Sequence, residues 1–273
     1  MSEQRLLFEG IPQRDIMIRQ YPSKSPVFYQ AINMMQAVVT VDLKAAKTLL
    51  PSQRLSPLAA SPGRAIMGIN CFEYLKTDVG PYNEVSLAIA VQVDKHTPSL
   101  WAAISSALKR AYHAYIFELP VNTEIALYGG LDYFNYPKFM TQIEFTEDEQ
   151  QRKCSVLDYN TGELIYAFKG DKLETRINGQ DVSSRDHMDL ISFYGYPIMN
   201  DHLMRAHFEL NPIERGSRWL GNAFEIELGY HERAALLAQL NPGRMLQYTY
   251  LPKGEGVLYE PEMLEHNPSR SER

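Results

Sequence analysis

Apolar residues alternate with small or polar ones in short runs along most of the chain, and only brief stretches keep helical spacing. Residues 36–41 (QAVVTV) form a β-branched run, and Asp42 behind them is a good helix cap. Leu43, Ala46, Leu49 and Leu50 then recur at helical spacing until Pro51 stops them. Residues 65–74 predict a second strand, and the turn-like Thr77-Asp78-Val79-Gly80-Pro81 leads into a third over 84–93. A helix is predicted over 98–112, with Thr97 as cap and Pro98 at its first position, followed by a strand at 114–119. Asn122 is placed to cap a short helix through Leu127 that ends near Gly129-Gly130. From Thr141 onward the pattern is one of hairpins: 153–157 and 163–169 flank Asp158-Tyr159-Asn160-Thr161-Gly162, and Asn178-Gly179 marks another turn. Strands follow at 204–210, 224–228 and 245–251, with a helix over 231–240 and a polar, disordered tail expected from Glu265. Arg215-Gly216-Ser217-Arg218 reads as a loop. No repeat and no linker interrupts this order, so the expectation is one α+β domain over 1–273 built on an antiparallel sheet system or barrel.

The third strand can be read face by face. Val85, Leu87, Ile89, Val91 and Val93 line one side, a period-2 apolar stripe. Glu84, Ser86, Ala88, Ala90 and Gln92 line the other. Small residues beside one carboxylate describe either a face with room for a ligand or an ordinary solvent side, and the pattern alone leaves both open.

Composition narrows the function classes. The net charge is −6, with no basic run to offset phosphate repulsion, so a nucleic-acid partner is not expected. Cys71 and Cys154 are too few for a disulfide framework and lack metal-ligand spacing. No apolar run reaches a membrane span, and none behind Met1 reads as a signal peptide, so a cytoplasmic protein without a membrane partner is expected. Seventeen tyrosines against two tryptophans suggest rings with polar tips on sheets or around a polar cavity. His187, Asp189 and His202 fit no ligand pattern, so neither a metal nor another cofactor is expected.

The candidate chemistry centres on Tyr136-Pro137-Lys138. An amine that attacks a carbonyl must be unprotonated, and a solvated lysine at neutral pH is not. Desolvation disfavours the ammonium form, and Tyr133, Phe134, Tyr136, Phe139 and Met140 offer an apolar setting in which it can act. Taken alone, the tripeptide is a weak signal.

The order of motifs resembles the acetoacetate decarboxylase-like superfamily. The opening strand and capped helix ending in Leu49-Leu50-Pro51 are similar to the family's start, and Pro81-Tyr82-Asn83-Glu84-Val85-Ser86 to its Tyr-x-Glu strand. Gly130 and Tyr136-Pro137-Lys138 keep its glycine-to-lysine spacing, while His231-Glu232-Arg233-Ala234 and Leu251-Pro252-Lys253 with Val257-Leu258-Tyr259 resemble its closing helix and strand. The resemblance implies an acetoacetate decarboxylase-like barrel with a few peripheral helices, a homo-oligomer, and a small-molecule carbonyl substrate. It implies that Lys138 is the Schiff-base lysine and Glu84 the acid/base beside it, with Tyr82, Asn70, Tyr136, Ser86 and Phe139 against the substrate.

The sequence also departs from the family. Phe139 stands where acetoacetate decarboxylase has the second lysine credited with depressing the first. Gly130-Leu131-Asp132 lacks the arginine of the family's Gly-Arg-Glu, and the early active-site arginine falls near Ala31 and Ile32. The second active-site glutamate falls near 68–70, where only Asn70 is polar. Acetoacetate itself is therefore not the expected substrate; the aromatic setting points to something larger or less charged, of the kind met in secondary metabolism. Residues 95–118 exceed the corresponding family segment, as a helical insertion that either lids the cavity or packs peripherally. Two functions follow: a lyase of decarboxylase, dehydratase or aldolase type working through an imine on Lys138, or a barrel that binds a small molecule or isomerises or cyclises it without an imine.

Overall fold

The computed structural model describes residues 6–95, 99–178, 185 and 188–264. Seven strands close a barrel. Ala111–Val121 pairs with Ile191–Gly195, and the ring continues through His202–Trp219, Met245–Leu258, Val27–Asp42, Arg64–Thr77 and Tyr82–Val93, which returns to Ala111–Val121. Every neighbour in the ring is antiparallel except Ala111–Val121 with Ile191–Gly195. A wing of four strands, Lys138–Glu147, Gln151–Asp158, Leu164–Asp171 and Phe224–Leu228, joins the ring where Leu119, Pro120 and Val121 pair in parallel with Lys138, Phe139 and Met140. The expected mostly antiparallel barrel with a few peripheral helices is thus the observed fold, and the parallel joints are its refinement. Four short helices, Leu43–Leu49, Leu100–Lys109, Glu124–Tyr128 and Ala234–Gln239, lie among the described residues.

The alternation predicted for Tyr82–Val93 decides what each face meets. Val85, Leu87, Ile89 and Val91 are buried in one cluster with Cys154, Val156, Ile165 and Phe168 of the wing. Burying a side chain the size of Leu87 or Ile89 contributes about 1.5–3 kcal/mol, so this seam holds wing to barrel. Arg152 adds a buried polar tie, its guanidinium in close contact with Glu73 across the same seam. Cys71 and Cys154 are free and buried. The opposite face carries Glu84, Ser86 and Ala88, and these too are buried, inside the ring.

Several local expectations hold in detail. Asp42 accepts a 2.7 Å bond from the Ala45 amide and opens Leu43–Leu49. Asp158 gathers the amides of Asn160 and Thr161, and Gly162 takes a positive φ of 71°, which closes the hairpin as the Asn and Gly signals predicted.

Others are corrected. The helix predicted over 98–112 is Leu100–Lys109, and its cap is Ser99, whose side chain accepts from the Ala102 amide; Thr97 and Pro98 lie outside the described residues. Arg110 ends it in the left-handed region at φ 52°, so residues 111–112 already belong to the strand. Asn122 does not cap the next helix: Thr123 takes that position, and the Asn122 carbonyl accepts the Asn83 amide instead. Arg215-Gly216-Ser217-Arg218 is no loop but part of His202–Trp219, where register shifts flank Pro212 and Glu214 and accommodate the proline. The expected turn at Asn178-Gly179 and the tail from Glu265 fall largely outside the described residues. No described helix is long and apolar enough to cross a membrane.

Candidate active site

A buried lysine needs a way in, and the chain between the third helix and the wing supplies it. Glu124–Tyr128 runs directly into a wider turn over Gly129–Tyr133, after which Asn135 adopts a positive φ of 48°. The Tyr136 amide returns to the Gly130 carbonyl at 3.0 Å, which brings the following Lys138 back over Gly130. A Cβ on Gly130 would lie 2.3 Å from Lys138 Cδ and 2.4 Å from Cε. The glycine-to-lysine spacing therefore has a steric reason: the lysine side chain crosses the bare backbone of Gly130 to enter the barrel.

There its Nζ donates a 2.6 Å hydrogen bond to Glu84 Oε2, and the side chains of Lys138 and Glu84 are only 8% and 10% exposed. Tyr74 Oη stands 3.5 Å from Glu84 Oε1, at the outer edge of hydrogen-bonding distance. The Tyr82 ring centroid lies 5.7 Å from Nζ, and the hydroxyls of Tyr82 and Tyr29 are 3.1 Å apart. Burial first, and the Glu84 charge second, push the phenols of Tyr29, Tyr74, Tyr82 and Tyr136 above their ordinary value, so at neutral pH they remain protonated.

All seven barrel strands contribute to the cavity around this pair, whose interior is about 170 Å³. Alternate residues reach it: Asn70, Phe72 and Tyr74 from one strand, and Tyr82, Glu84, Ser86 and Ala88 from the next. The Asn70 carbonyl accepts a 2.7 Å bond from Gln36, which leaves its amide NH₂ for the cavity. The mouth is edged by Ile16 and Ile18 of an N-terminal hairpin and by Glu260, whose carboxylate contacts Arg14 and Ser25.

Of the residues singled out in the sequence, Lys138, Glu84, Tyr82, Asn70, Tyr136 and Ser86 thus line one cavity. Phe139 does not. As the next residue on a strand it projects to the opposite face, packs against the seam between wing and barrel, and lies under the Arg233 guanidinium at 3.9 Å. Asp132 is held outside by Arg19 at 2.8 Å, both side chains well exposed. No residue of Leu100–Lys109 lines the cavity, which places this helix at its periphery and not over it as a lid. Among the described residues no three His, Cys, Asp or Glu side chains gather, and His187 lies outside them.

The sequence reading missed Tyr29, Phe72, Tyr74, Phe208 and the mouth residue Glu260. The signal for two of them was present: read face by face, the strand predicted over 65–74 puts Phe72 and Tyr74 on the same side as Asn70. Glu260 carried no local signal, because only the barrel's closure brings it to Arg14.

Residues 15–259 match the profile of the family Acetoacetate decarboxylase (ADC). No curated protein matches the sequence. Among solved structures, the fold is similar to acetoacetate decarboxylase from Legionella pneumophila subsp. pneumophila str. Philadelphia 1, with 11% identity and a TM-score of 0.62 over 95% of this chain and 94% of that one. It is similar to the enduracididine biosynthesis enzyme MppR complexed with pyruvate, with 12% identity and a TM-score of 0.56 over 88% and 90% of the chains. It is similar also to an acetoacetate decarboxylase-like enzyme from Sphingomonas wittichii RW1, with 14% identity and a TM-score of 0.54 over 88% and 93%.

Proposed function

The chain belongs to the acetoacetate decarboxylase family, and from that premise we propose that it is a lyase or aldolase-type enzyme that forms a Schiff base between Lys138 and a carbonyl substrate. The observation that carries this reading is the buried 2.6 Å contact between Lys138 Nζ and Glu84 Oε2 inside an aromatic cavity. Each step follows from what that pair can exchange. The ammonium passes a proton to Glu84, and the freed Nζ attacks the carbonyl carbon. The protonated Glu84 returns its proton to the carbinolamine hydroxyl, which leaves as water, and the product is an iminium beside a carboxylate. The iminium draws electrons from the neighbouring bond, so an α-C–H or C–C bond can break to give the neutral enamine, with Glu84 as the acceptor of the α-proton and later its donor. The enamine can in turn expel a β-oxygen that Glu84 protonates, which breaks a C–O bond and regenerates the iminium. Asn70, Ser86, Tyr82 and Tyr136 surround the space in which the substrate oxygen and its substituents would sit.

A second reading rests on the same contact, since a 2.6 Å ion pair is also what a purely structural lysine makes, and residue 139 brings no second cation. Under it the barrel binds or isomerises its ligand without a covalent step. Reductive trapping separates the two. The protein is incubated with borohydride and a panel of oxo acids, ketones and aldehydes, and adducts are mapped by peptide mass spectrometry beside Lys138→Ala. An adduct on Lys138 that the variant lacks is the expected result. Labelling spread evenly over surface lysines, with none on Lys138, would decide for the non-covalent barrel.

A further inference from the structure

The cavity lining has an unusual charge inventory. Among the described residues that line it, Lys138 is the only cation, and no arginine or histidine faces the space. Two carboxylates do, Glu84 against Lys138 and Glu260 at the mouth, where Arg14 balances it from outside the lining. The remaining polar groups are neutral: the Asn70 amide, Ser25, Ser86 and tyrosine hydroxyls.

Resting on the imine reading above, we propose that the substrate is an uncharged ketone or aldehyde carrying a single aromatic ring or a short apolar chain, and that its carbonyl is activated for α-proton removal and not for loss of carbon dioxide. The charge count carries the first half. Once the imine forms, the iminium is positive, Glu84 is negative, and the buried centre is neutral. A carboxylate on the substrate would add a second anion within a site that offers it no cation, beside Glu84 and beneath Glu260. A buried anion without a partner is strongly disfavoured, and a like charge at this range weakens binding further. The neutral donors that are present, above all the Asn70 NH₂, suit a hydroxyl or carbonyl oxygen instead.

The lining carries the second half. The interior is only about 170 Å³, small beside the pockets that hold drug-sized ligands, so the group it admits is a single ring or a short apolar chain. Tyr29, Phe72, Phe193 and Phe208 supply ring faces and edges for it. With no carboxylate to lose, the bond the iminium weakens is the α-C–H. Glu84 takes that proton, the C–H electron pair forms the enamine double bond, and the iminium nitrogen becomes neutral. Return of the proton from Glu84 to carbon reverses the step, so atoms and charge balance without a co-reactant.

A matched pair tests this on the unmodified protein. 4-Phenyl-2-butanone and 2-oxo-4-phenylbutanoate share the phenethyl group and the ketone and differ in a methyl against a carboxylate. Each is incubated with cyanoborohydride at equal concentration, and the fraction of Lys138 labelled is read by peptide mass spectrometry; α-H/D exchange of the ketone is followed in D₂O. The expected result is labelling by the neutral ketone that exceeds labelling by the oxo acid by roughly tenfold or more, together with catalysed exchange. The oxo acid is the more electrophilic of the two, so intrinsic reactivity works against this outcome. Equal or better labelling by the oxo acid overturns the substrate class while the imine stands. No Lys138 adduct with either compound overturns this inference, and the imine reading falls with it only where the wider panel also leaves Lys138 unlabelled.

Discussion

At the scale of single residues, the site turns on a contact that a glycine permits. Gly130 has no positive φ, so alanine is acceptable to its backbone, and the three atoms nearest to an added Cβ all belong to the stem of Lys138. Gly130→Ala should therefore fold but push the lysine aside and open the 2.6 Å contact with Glu84. A displacement near 1 Å at a reacting group costs on the order of 100-fold in rate, so we expect Lys138 trapping to collapse while the melting temperature shifts by only a few degrees. An unfolded variant, or one that traps like the parent, would refute this steric account. Glu84→Gln keeps the shape and a donor-acceptor group but removes the base. It should slow α-proton exchange by about 10²- to 10⁴-fold, the usual contribution of a positioned acid/base. Exchange that survives unchanged would move the base elsewhere, with Glu260 as the other carboxylate that lines the cavity.

At the scale of elements, what the sequence disclosed was whatever is settled locally. The cap of Leu43–Leu49 is one residue making one bond, and Asp42 announces it; Asp42→Ala should cost about 1 kcal/mol, read as a lowered urea midpoint at an unchanged slope. An unchanged midpoint would mean that the neighbouring Ala46, buried against the core, fixes the helix without its cap. The strand at Phe224–Leu228 and the Asp158–Gly162 turn were legible for the same reason. Val27–Asp42 was seen only in its second half, because register shifts around Ala31 break the alternation that identifies a strand. His202–Trp219 was cut short at Pro212, which signals a break unless a bulge accommodates it, and that bulge is fixed by pairing with Met245–Leu258. The site was half legible in the same sense. The face holding Glu84, Ser86 and Ala88 could be read from alternation, but not that a cavity lay beyond it. Phe139 was misplaced because adjacency in sequence is opposition on a strand.

At the scale of the molecule, barrel and wing are joined by a buried seam with a carboxyl group in it. Glu118 lies on Ala111–Val121, only 5% exposed, and accepts a 3.3 Å bond from Tyr166 of the wing. Burial raises its pKa to about 7, against the smaller opposing influences of the Tyr166 bond and the Arg233 charge. Because the folded value lies above that of an unfolded carboxyl, the native state holds more protons than the unfolded one between the two values. Stability must then fall as pH rises from the ordinary carboxyl range toward about 7, and the loss is complete above it. Other groups titrate over the same interval, so the informative comparison is with Glu118→Gln, which still accepts from Tyr166 but never ionises. Near pH 5 the two proteins should have similar urea midpoints; by pH 8 the variant should be the more stable by roughly 1–3 kcal/mol. Lys138 and Glu84 lie inside the ring, and Glu118 faces the seam, so the same variant should leave trapping at Lys138 intact. Midpoints that stay parallel from pH 5 to 8, or a parent that gains on the variant as pH rises, would show that Glu118 is ionised and compensated within the seam, with Arg233 as the partner to test next.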